Sequence, residues 1–287
     1  MAGLAQGGHA PVATFALAGI AILVGGIYLD PLNGLLPLLG VLCLMTAVFF
    51  ANFWRVPDRP IPQESGVLVS PADGHVMFVR RERANGRRPS QTEREQDGIE
   101  QDEFTGDWFP KPCGNPLSFE TEQRFVPVEG ETLDIDVWRV AIFMSPLDVH
   151  VNRAPCASKI IAMEHRTGKG RRRGPFAPAY KKESEYNERV RTVFESVDGE
   201  RIEVMQISGA LARTIVPWKG IGDTLRRGER YGMIRLGSRV DVRVPAAYYE
   251  PQVVSAEEQN SQYPRGQFIK AGADIIFNRV LEEELSG

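Results

Sequence analysis

Two strand-like apolar runs flank a Gly-Ser pair in the stretch Gly232-Met233-Ile234-Arg235-Leu236-Gly237-Ser238-Arg239-Val240-Asp241-Val242-Arg243-Val244. Short runs rich in Val, Ile and Leu, bounded by glycine, are typical of β-strands. Similar runs recur along the chain between turn residues, at 139–144, 159–163, 190–197, 201–207 and 211–216. The repeated pattern predicts a mainly β (α+β) protein whose principal domain is an antiparallel β barrel or sandwich.

The Gly237-Ser238 pair is a candidate for self-cleavage. The Ser238 hydroxyl can attack the Gly237 carbonyl and convert the amide into an ester. Elimination then releases the upstream chain as an acid and leaves dehydroalanine, which hydrolyses to a pyruvoyl group. Gly-Ser pairs are also common in turns, so this interpretation depends on the surrounding sequence.

Charge and cysteine content narrow the possible partners. The net charge of -3 gives no reason to expect a nucleic-acid partner. The three cysteines, Cys43, Cys113 and Cys156, are scattered and form no Cys-x-x-Cys pair. This pattern indicates neither a disulfide framework nor a zinc site, so we predict no metal and a reducing compartment.

The N-terminal region reads as a transmembrane helical hairpin. Residues 11–29 and 35–54 are two apolar runs, each long enough to span hydrocarbon, separated by turn formers at 30–34. The second run ends in Phe53 and Trp54, followed by Arg55 and Arg59. Aromatic residues followed by arginine are expected at the cytoplasmic end of a span. We therefore predict a cell-membrane protein with its main domain on the cytoplasmic face.

The predicted organisation has four parts. Residues 1–54 form the hairpin, 55–66 a Pro-rich linker, 67–250 the main domain with a charged insertion at about 80–127, and 251–287 a C-terminal tail. Within the main domain, Asp73-Gly74 predicts a tight turn between strands at 67–69 and 76–79. The tail predicts a short helix over 274–285. His165 and His75 are interpreted as structural or exposed.

Four stretches together resemble the phosphatidylserine decarboxylase proenzymes of the short prokaryotic type. The first is Ser70-Pro71-Ala72-Asp73-Gly74, and the second runs from Phe143 through Ser145-Pro146-Leu147-Asp148-Val149-His150-Val151-Asn152-Arg153-Ala154-Pro155. The third is Asn187-Glu188-Arg189. The fourth extends from Gln206-Ile207-Ser208-Gly209 through Arg227-Gly228-Glu229-Arg230 to the Gly232–Asp241 stretch.

The resemblance implies the activity and the site. Cleavage between Gly237 and Ser238 would give a β chain of residues 1–237 and an α chain of 238–287 that starts with a pyruvoyl group, the covalent cofactor. That group would form a Schiff base with phosphatidylserine, release carbon dioxide and yield phosphatidylethanolamine. His150 is the candidate acid for reprotonation, and Asp73 and His150 are candidate partners of Ser238 in processing. The family suggests a homodimer of processed units.

Two further points stay open at the level of sequence. Long-type members carry a second histidine two residues before the proline of the second motif, where this chain has Arg153, so His150 could act in processing, in decarboxylation or in both. The substrate phosphodiester needs cations. The candidates are Arg189, Arg171, Arg172 and Arg173.

Two other classes of protein share part of the pattern. Residues 72–76, around the Asp73-Gly74 turn, and residues 222–229 are also similar to the hairpins of biotinyl/lipoyl-like domains in membrane-anchored adaptors. The chain lacks the heptad run such adaptors carry. A membrane-tethered serine hydrolase could use Ser238, His150 and Asp73, but no Gly-x-Ser-x-Gly elbow is present.

Overall fold

The computed structural model describes residues 3–29, 34–83, 99–101, 108–110, 136–166, 187–209, 214–235, 237–255 and 266–280. The chain forms two compact units. The first comprises Met1–Asp58 with Leu147–Val149, and the second comprises Arg59–Pro146 with His150–Gly287.

The first unit is a pair of helices. Helix α1 spans His9–Leu29 and α2 spans Leu35–Phe53, and both are long and apolar enough to cross a membrane. At 1.5 Å per residue, each is about 30 Å long, which matches the hydrocarbon core of a bilayer. Most of their large apolar side chains are exposed, including Leu17, Ile27 and Val48. An apolar outer surface of this kind fits association with a membrane.

Small residues allow the two helices to approach closely. A Cβ atom added at Gly40 would lie 2.7 Å from the backbone nitrogen of Leu23, and one added at Gly19 would lie 2.9 Å from the side chain of Leu44. Glycine at such contacts is typical of helix packing in membranes. Strand β1 (Gly3–Leu4) pairs with β2 (Arg55–Val56), so both ends of the helix pair lie together. The predicted hairpin is confirmed.

The loop Leu147–Val149 also belongs to the first unit. The Arg55 guanidinium donates to the Leu147 carbonyl at 2.8 Å, and its other nitrogen donates to the Asn52 side-chain oxygen at 2.5 Å. This loop immediately precedes His150 in the chain.

The second unit is built from antiparallel strands. Their bounds are β3 (Val67–Val69), β4 (Gly74–Arg83), β5 (Ile99–Gln101), β6 (Trp108–Pro110), β7 (Asp136–Met144), β8 (Val151–Arg153), β9 (Ser158–Arg166), β10 (Arg189–Ser196), β11 (Arg201–Ser208), β12 (Ile215–Pro217), β13 (Thr224–Leu225), β14 (Arg230–Ile234), β15 (Ser238–Pro245), β16 (Tyr249–Pro251), β17 (Phe268–Ile269) and β18 (Ile275–Arg279). Eight of them form a sheet in the order β13-β9-β10-β11-β15-β7-β4-β17. Two three-stranded sheets have the orders β12-β14-β8 and β16-β18-β3, and β5 pairs with β6.

One hydrophobic core joins the large sheet to the two three-stranded sheets. Ile142, Val204 and Val240 project from the large sheet, and Ile234 and Phe277 come from the smaller ones. Because side chains alternate along a strand, the neighbours of these residues lie on the other face of the large sheet. The layered, mainly antiparallel β architecture confirms the predicted fold class.

The predicted hairpin around Asp73-Gly74 is wrong. Strand β3 pairs with β18, and β4 pairs with β7 and β17, so the two strands enter different sheets. Gly74 has φ 152°, and a Cβ atom there would lie 2.1 Å from the Phe143 carbonyl oxygen. Glycine is needed for this close approach of two backbones, not for a turn.

Two other local expectations differ from the structure. The helix predicted over 274–285 is wrong at residues 275–279, which form β18 and pair with β3 and β16, and residues 281–285 lie outside the described residues. Strand β4 continues beyond the expected end at Val79 to Arg83, because its last residues pair with Asp136 to Arg139 of β7. The predicted insertion therefore begins within a strand and also contains β5 and β6.

Candidate active site

Ser238 opens strand β15 and is fully buried. It lies opposite Ser208 of β11 on one side and opposite Met144 of β7 on the other. Gly237 precedes it with φ 67°, in the left-handed region that favours glycine. Within the part of the chain that the structure describes, the Ser238 hydroxyl has no hydrogen-bond partner. The hydroxyl is therefore available to react with a neighbouring group.

Replacing Gly237 by alanine should slow chain cleavage. No atom lies within 4 Å of the added Cβ, so the effect is conformational. Holding an L-residue in the left-handed region costs about 1–2 kcal/mol, which corresponds to roughly tenfold in rate. Cleavage after cell-free synthesis should be followed by electrophoresis. Gly199→Ala, which changes another left-handed glycine with no atom within 4 Å, is the control. Equal rates for the wild type and Gly237→Ala would contradict the role of this conformation.

Backbone hydrogen bonds bring the first and second motifs together. The Arg153 amide donates to the Pro71 carbonyl at 2.9 Å, and the Val69 amide donates to the Pro155 carbonyl at 2.9 Å. The buried Asn152 side chain adds a bond to the same Pro71 carbonyl at 3.3 Å. The segment that contains Asp73 is thus fixed against β8.

Asn152 also connects the second motif to the fourth. The Gln206 side-chain amide donates to Asn152 Oδ1 at 2.8 Å. Gln206 lies two residues before Ser208 on the same face of β11. His150 is two residues before Asn152, is fully buried, and accepts a hydrogen bond on its carbonyl from the Ile234 amide at 3.2 Å. The extended backbone directs His150 and Asn152 to the same side.

Asp73 is buried and holds two groups at once. Its Oδ2 accepts from the Arg59 guanidinium at 2.6 Å, and its Oδ1 accepts from the Ala271 amide at 2.8 Å. Asp73 immediately precedes β4, so its carboxylate connects the start of β4 to Arg59 of the predicted linker and to the turn that contains Ala271 after β17.

The third motif lies next to Ser208. The Ser208 amide donates to the Glu188 carbonyl at 2.9 Å, and the Asn187 side chain donates to the Ser208 carbonyl at 2.8 Å. Glu188 Oε1 lies 3.1 Å from His165 Nε2, and both side chains are buried. His165 is therefore a structured member of this region, on the strand β9 that pairs with β10.

Several buried polar atoms face this region without a hydrogen-bond partner among the described residues. They are Ser238 Oγ, Ser208 Oγ, Gln206 Oε1 and His165 Nδ1. Buried polar groups are normally paired, and unpaired ones mark sites of binding or chemistry. The cluster is suited to receive a polar molecule beside Ser238.

The opposite face of the sheet carries buried ion pairs. The Arg239 guanidinium donates to Asp241 at 2.6 and 2.8 Å, and Arg139 donates to it at 2.9 and 2.5 Å. Burial alone would raise the pKa of Asp241, but these two guanidinium groups hold it below its ordinary value. The carboxylate consequently stabilises the fold at neutral pH. This contribution is lost only as pH falls through the lowered pKa.

Replacing Asp241 by alanine should destabilise the protein strongly. Two buried guanidinium groups would lose the carboxylate they share, a change that costs about 3–5 kcal/mol. Asp198→Ala is the matched control, because Asp198 pairs with Arg279 at a half-exposed position and should contribute under about 1 kcal/mol. Thermal unfolding in detergent measures both. Similar melting temperatures for the two variants would contradict the importance of the buried pairs.

The structure separates the residues proposed to bind the phosphodiester. Arg189 is buried, pairs with Ile207 on β11, and so lies on the face opposite Ser208 and Ser238. Arg171, Arg172 and Arg173 lie outside the described residues. Arg235 is half-buried and comes three residues before Ser238. Its Nε atom is buried and has no hydrogen-bond partner in the described ranges.

Ser208, Glu188 and Asn152 lie in the motifs that carry the family resemblance, but the sequence alone assigned them no function. Ser208 has a visible signal, because it is a polar residue at the end of a mainly apolar strand, whereas Glu188 stands between Asn187 and Arg189 and has no such signal. No group of three or more potential metal ligands occurs within the described part of the chain.

Comparisons with known proteins assign the family. The family model described as phosphatidylserine decarboxylase matches residues 46–276. A phosphatidylserine decarboxylase proenzyme of Symbiobacterium thermophilum is 35% identical over 209 residues, covering 72% of this chain and 74% of the relative. One from Ruegeria pomeroyi is 34% identical over 215 residues, covering 75% and 76%. One from Streptomyces griseus is 49% identical over 144 residues, covering 48% and 62%.

No solved structure gives a significant match. The family model alone covers most of the chain, including all four motifs and the Gly237-Ser238 pair. This chain therefore belongs to the phosphatidylserine decarboxylase family.

Proposed function

We propose that this chain decarboxylates phosphatidylserine to phosphatidylethanolamine at a pyruvoyl group that it makes from Ser238. The observation that carries the proposal is the buried Ser238 hydroxyl, which has no hydrogen-bond partner among the described residues and directly follows the left-handed Gly237. Hydrogen bonds link the first motif to the second, the second to the fourth, and the third to Ser208, which lies opposite Ser238. Two helices long and apolar enough to cross a membrane precede the domain, which fits a lipid substrate.

Cleavage is a rearrangement of the chain itself. Ser238 Oγ bonds to the Gly237 carbonyl carbon, the C–N bond breaks, and the Oγ proton is transferred to the released nitrogen. Loss of the Cα proton then breaks the Cβ–Oγ bond, and residues 1–237 leave as a carboxylate. One water hydrolyses the resulting enamine and ammonia is released. Residues 238–287 then begin with a ketone.

The residues around Ser238 fit such a group. A ketone needs hydrogen-bond donors but no counter-ion, and the Ser208 hydroxyl is buried opposite Ser238 without a partner among the described residues. When present, the pyruvoyl group supplies a carbonyl that takes up the substrate amine and withdraws electrons from the bond to the carboxylate. The burial of Ser238 excludes bulk water from that carbonyl.

We propose that His150 delivers the proton to the substrate carbon after carbon dioxide leaves. Its side chain lies on the same side of the extended segment as Asn152, which contacts Gln206 beside Ser208. An imidazole can hold a proton near neutral pH, as this step requires. His150 directly follows the loop Leu147–Val149 of the first unit.

We propose that Asp73 supports chain cleavage indirectly, by holding the backbone around the site in place. Its carboxylate fixes residue 59, the turn at residue 271 and the start of β4. β4 pairs with β7, and β7 pairs with β15 at Ser238. Loss of the carboxylate would therefore disturb cleavage through the backbone.

Arg235 is the described cation we propose for the substrate phosphodiester. It is close to Ser238 in the chain, half-buried, and its Nε donor is unused by the described residues. Guanidinium groups bind phosphate oxygens with paired hydrogen bonds. The homodimer and the cytoplasmic orientation stay predictions of the sequence.

The proposal is tested by the reaction itself. Purified protein in detergent is mixed with phosphatidylserine, and phosphatidylethanolamine is measured by mass spectrometry. Phosphatidylcholine is the control lipid, since it has neither a primary amine nor a carboxylate to lose. Arg235→Met should raise KM for the lipid while Arg279→Met, an exposed arginine, should not. A wild-type protein that is cleaved but leaves phosphatidylserine unchanged would overturn the proposal.

A further inference from the structure

A row of polar residues crosses the large sheet from Ser238. Ser208 lies directly opposite Ser238 on the neighbouring strand, and its amide bonds to the carbonyl of Glu188 on the next segment. Residues paired in this way project from the same face of a sheet, with Cβ atoms about 4.5–5.5 Å apart. Ser238, Ser208 and Glu188 are thus consecutive members of one row.

His165, on the neighbouring strand β9, lies diagonal to Glu188 and extends the row through its side chain. It pairs with Val190, whose side chain is on the core face together with Gln206. From there His165 Nε2 reaches Glu188 Oε1 at 3.1 Å. All four residues are at most 5% exposed. A buried carboxylate in contact with imidazole is a proton acceptor shielded from solvent.

The hydroxyls of Ser238 and Ser208 face each other at the other end of the row, and neither makes a hydrogen bond to a described residue. Rotation about χ1 moves a serine hydroxyl between staggered positions, which is enough to close the distance between opposed side chains. Hydrogen bonds used in catalysis are often incomplete before the reaction begins.

We propose that Ser208, Glu188 and His165 form a proton relay that activates Ser238 for self-cleavage. This inference rests on the proposed function. The Ser238 proton passes to Ser208 Oγ as Ser238 Oγ bonds to the Gly237 carbonyl carbon, and the Ser208 proton passes to the Glu188 carboxylate. The proton then returns along the same row to the Ser238 nitrogen as the C–N bond breaks, so the relay ends unchanged. His165 is a positioning residue that orients the carboxylate.

The relay divides the work between two sets of residues. Ser208 and Glu188 transfer a proton once, on the precursor, whereas His150 transfers one in every turnover of the lipid. The geometry separates them too: the relay lies along β11, β10 and β9, and His150 precedes β8 in a different sheet.

The test measures the rate of chain cleavage after cell-free synthesis of the full protein in detergent. Ser208→Ala and Glu188→Gln should slow cleavage by about 10²-fold or more, the usual effect of losing a general base. His165→Gln should slow it by a smaller factor, about tenfold. Thr192→Val and His75→Gln are matched controls. Thr192 is a buried hydroxyl on the same face without a partner among the described residues, and His75 is a half-buried histidine that contacts the Gly266 carbonyl.

Hydroxylamine identifies the step that is blocked, because it cleaves esters much faster than amides. A precursor that lacks the relay should accumulate no ester and should stay intact in hydroxylamine. Ser208→Thr keeps the hydroxyl and should restore cleavage. If Ser208→Ala failed only because it disturbed packing, restoring the hydroxyl would not be expected to restore cleavage.

Two results would overturn the relay. The first is wild-type cleavage rates in Ser208→Ala and Glu188→Gln, and the second is equal slowing by Thr192→Val. If instead the wild type itself is never cleaved, the proposed function fails before the relay is tested.

Discussion

Replacing Ser238 by alanine should leave the protein as one uncut chain that produces no phosphatidylethanolamine. Alanine has no oxygen to attack the Gly237 carbonyl, so neither the ester nor the ketone can form. The change removes one buried atom that has no hydrogen bond among the described residues, so folding should be little affected. Electrophoresis under denaturing conditions and the lipid assay measure the two losses together.

The control for this substitution is Ser158→Ala. Ser158 is also buried, and its hydroxyl donates to the Cys156 carbonyl at 3.1 Å, away from the row that contains Ser208. It should be cleaved and active. If Ser238→Ala were active as a single chain, an ordinary side chain at this position would suffice and the pyruvoyl proposal would be wrong.

Replacing His150 by glutamine should separate cleavage from decarboxylation. The precursor should still be cut, because its proton relay is assigned to other residues, but turnover of the lipid should fall by about 10²–10⁴-fold with the loss of a general acid. His75→Gln should leave turnover unchanged. Gel analysis of cleavage and the initial rate of phosphatidylethanolamine formation are measured on the same samples.

Loss of cleavage in His150→Gln would place this histidine in processing and contradict the assignment. Retained turnover would remove it from the chemistry altogether. Because the sequence left both roles open, this variant decides between them.

The strands near Ser238 could be predicted because their signals are local. Runs of alternating Val, Ile and Leu on both sides of Gly237 predicted β14 and β15, and similar runs predicted β9, β10 and β11. The helix pair could be predicted for the same reason, since length and apolar composition alone define a candidate span.

Strand partners could not be predicted because pairing depends on distant residues. Asp73-Gly74 has the composition of a hairpin turn, yet β3 pairs with β18, which lies about two hundred residues later. The same long-range pairing makes residues 275–279 a strand, where the local sequence suggested a helix. The hairpin was one of two segments that resembled biotinyl/lipoyl-like adaptors, so its absence removes that part of the resemblance.

The site could be predicted only in part from the sequence, because its geometry also depends on how the strands pair. Ser238 and His150 belong to recognisable motifs, but the face on which each side chain lies depends on strand register. Register places Arg189, a candidate for the phosphodiester, on the face opposite Ser238, and it brings His165, interpreted as structural or exposed, into contact with Glu188. The row that connects Ser238 to Glu188 exists only when three strands are aligned.

The most direct measurement is the intact mass of the purified wild-type protein, taken before and after reduction with borohydride. The proposed chemistry predicts two chains, residues 1–237 and residues 238–287, with the smaller chain blocked at its first residue and gaining hydrogen on reduction of its ketone. A catalytically active protein that gives one mass for all 287 residues, unchanged by borohydride, would contradict it.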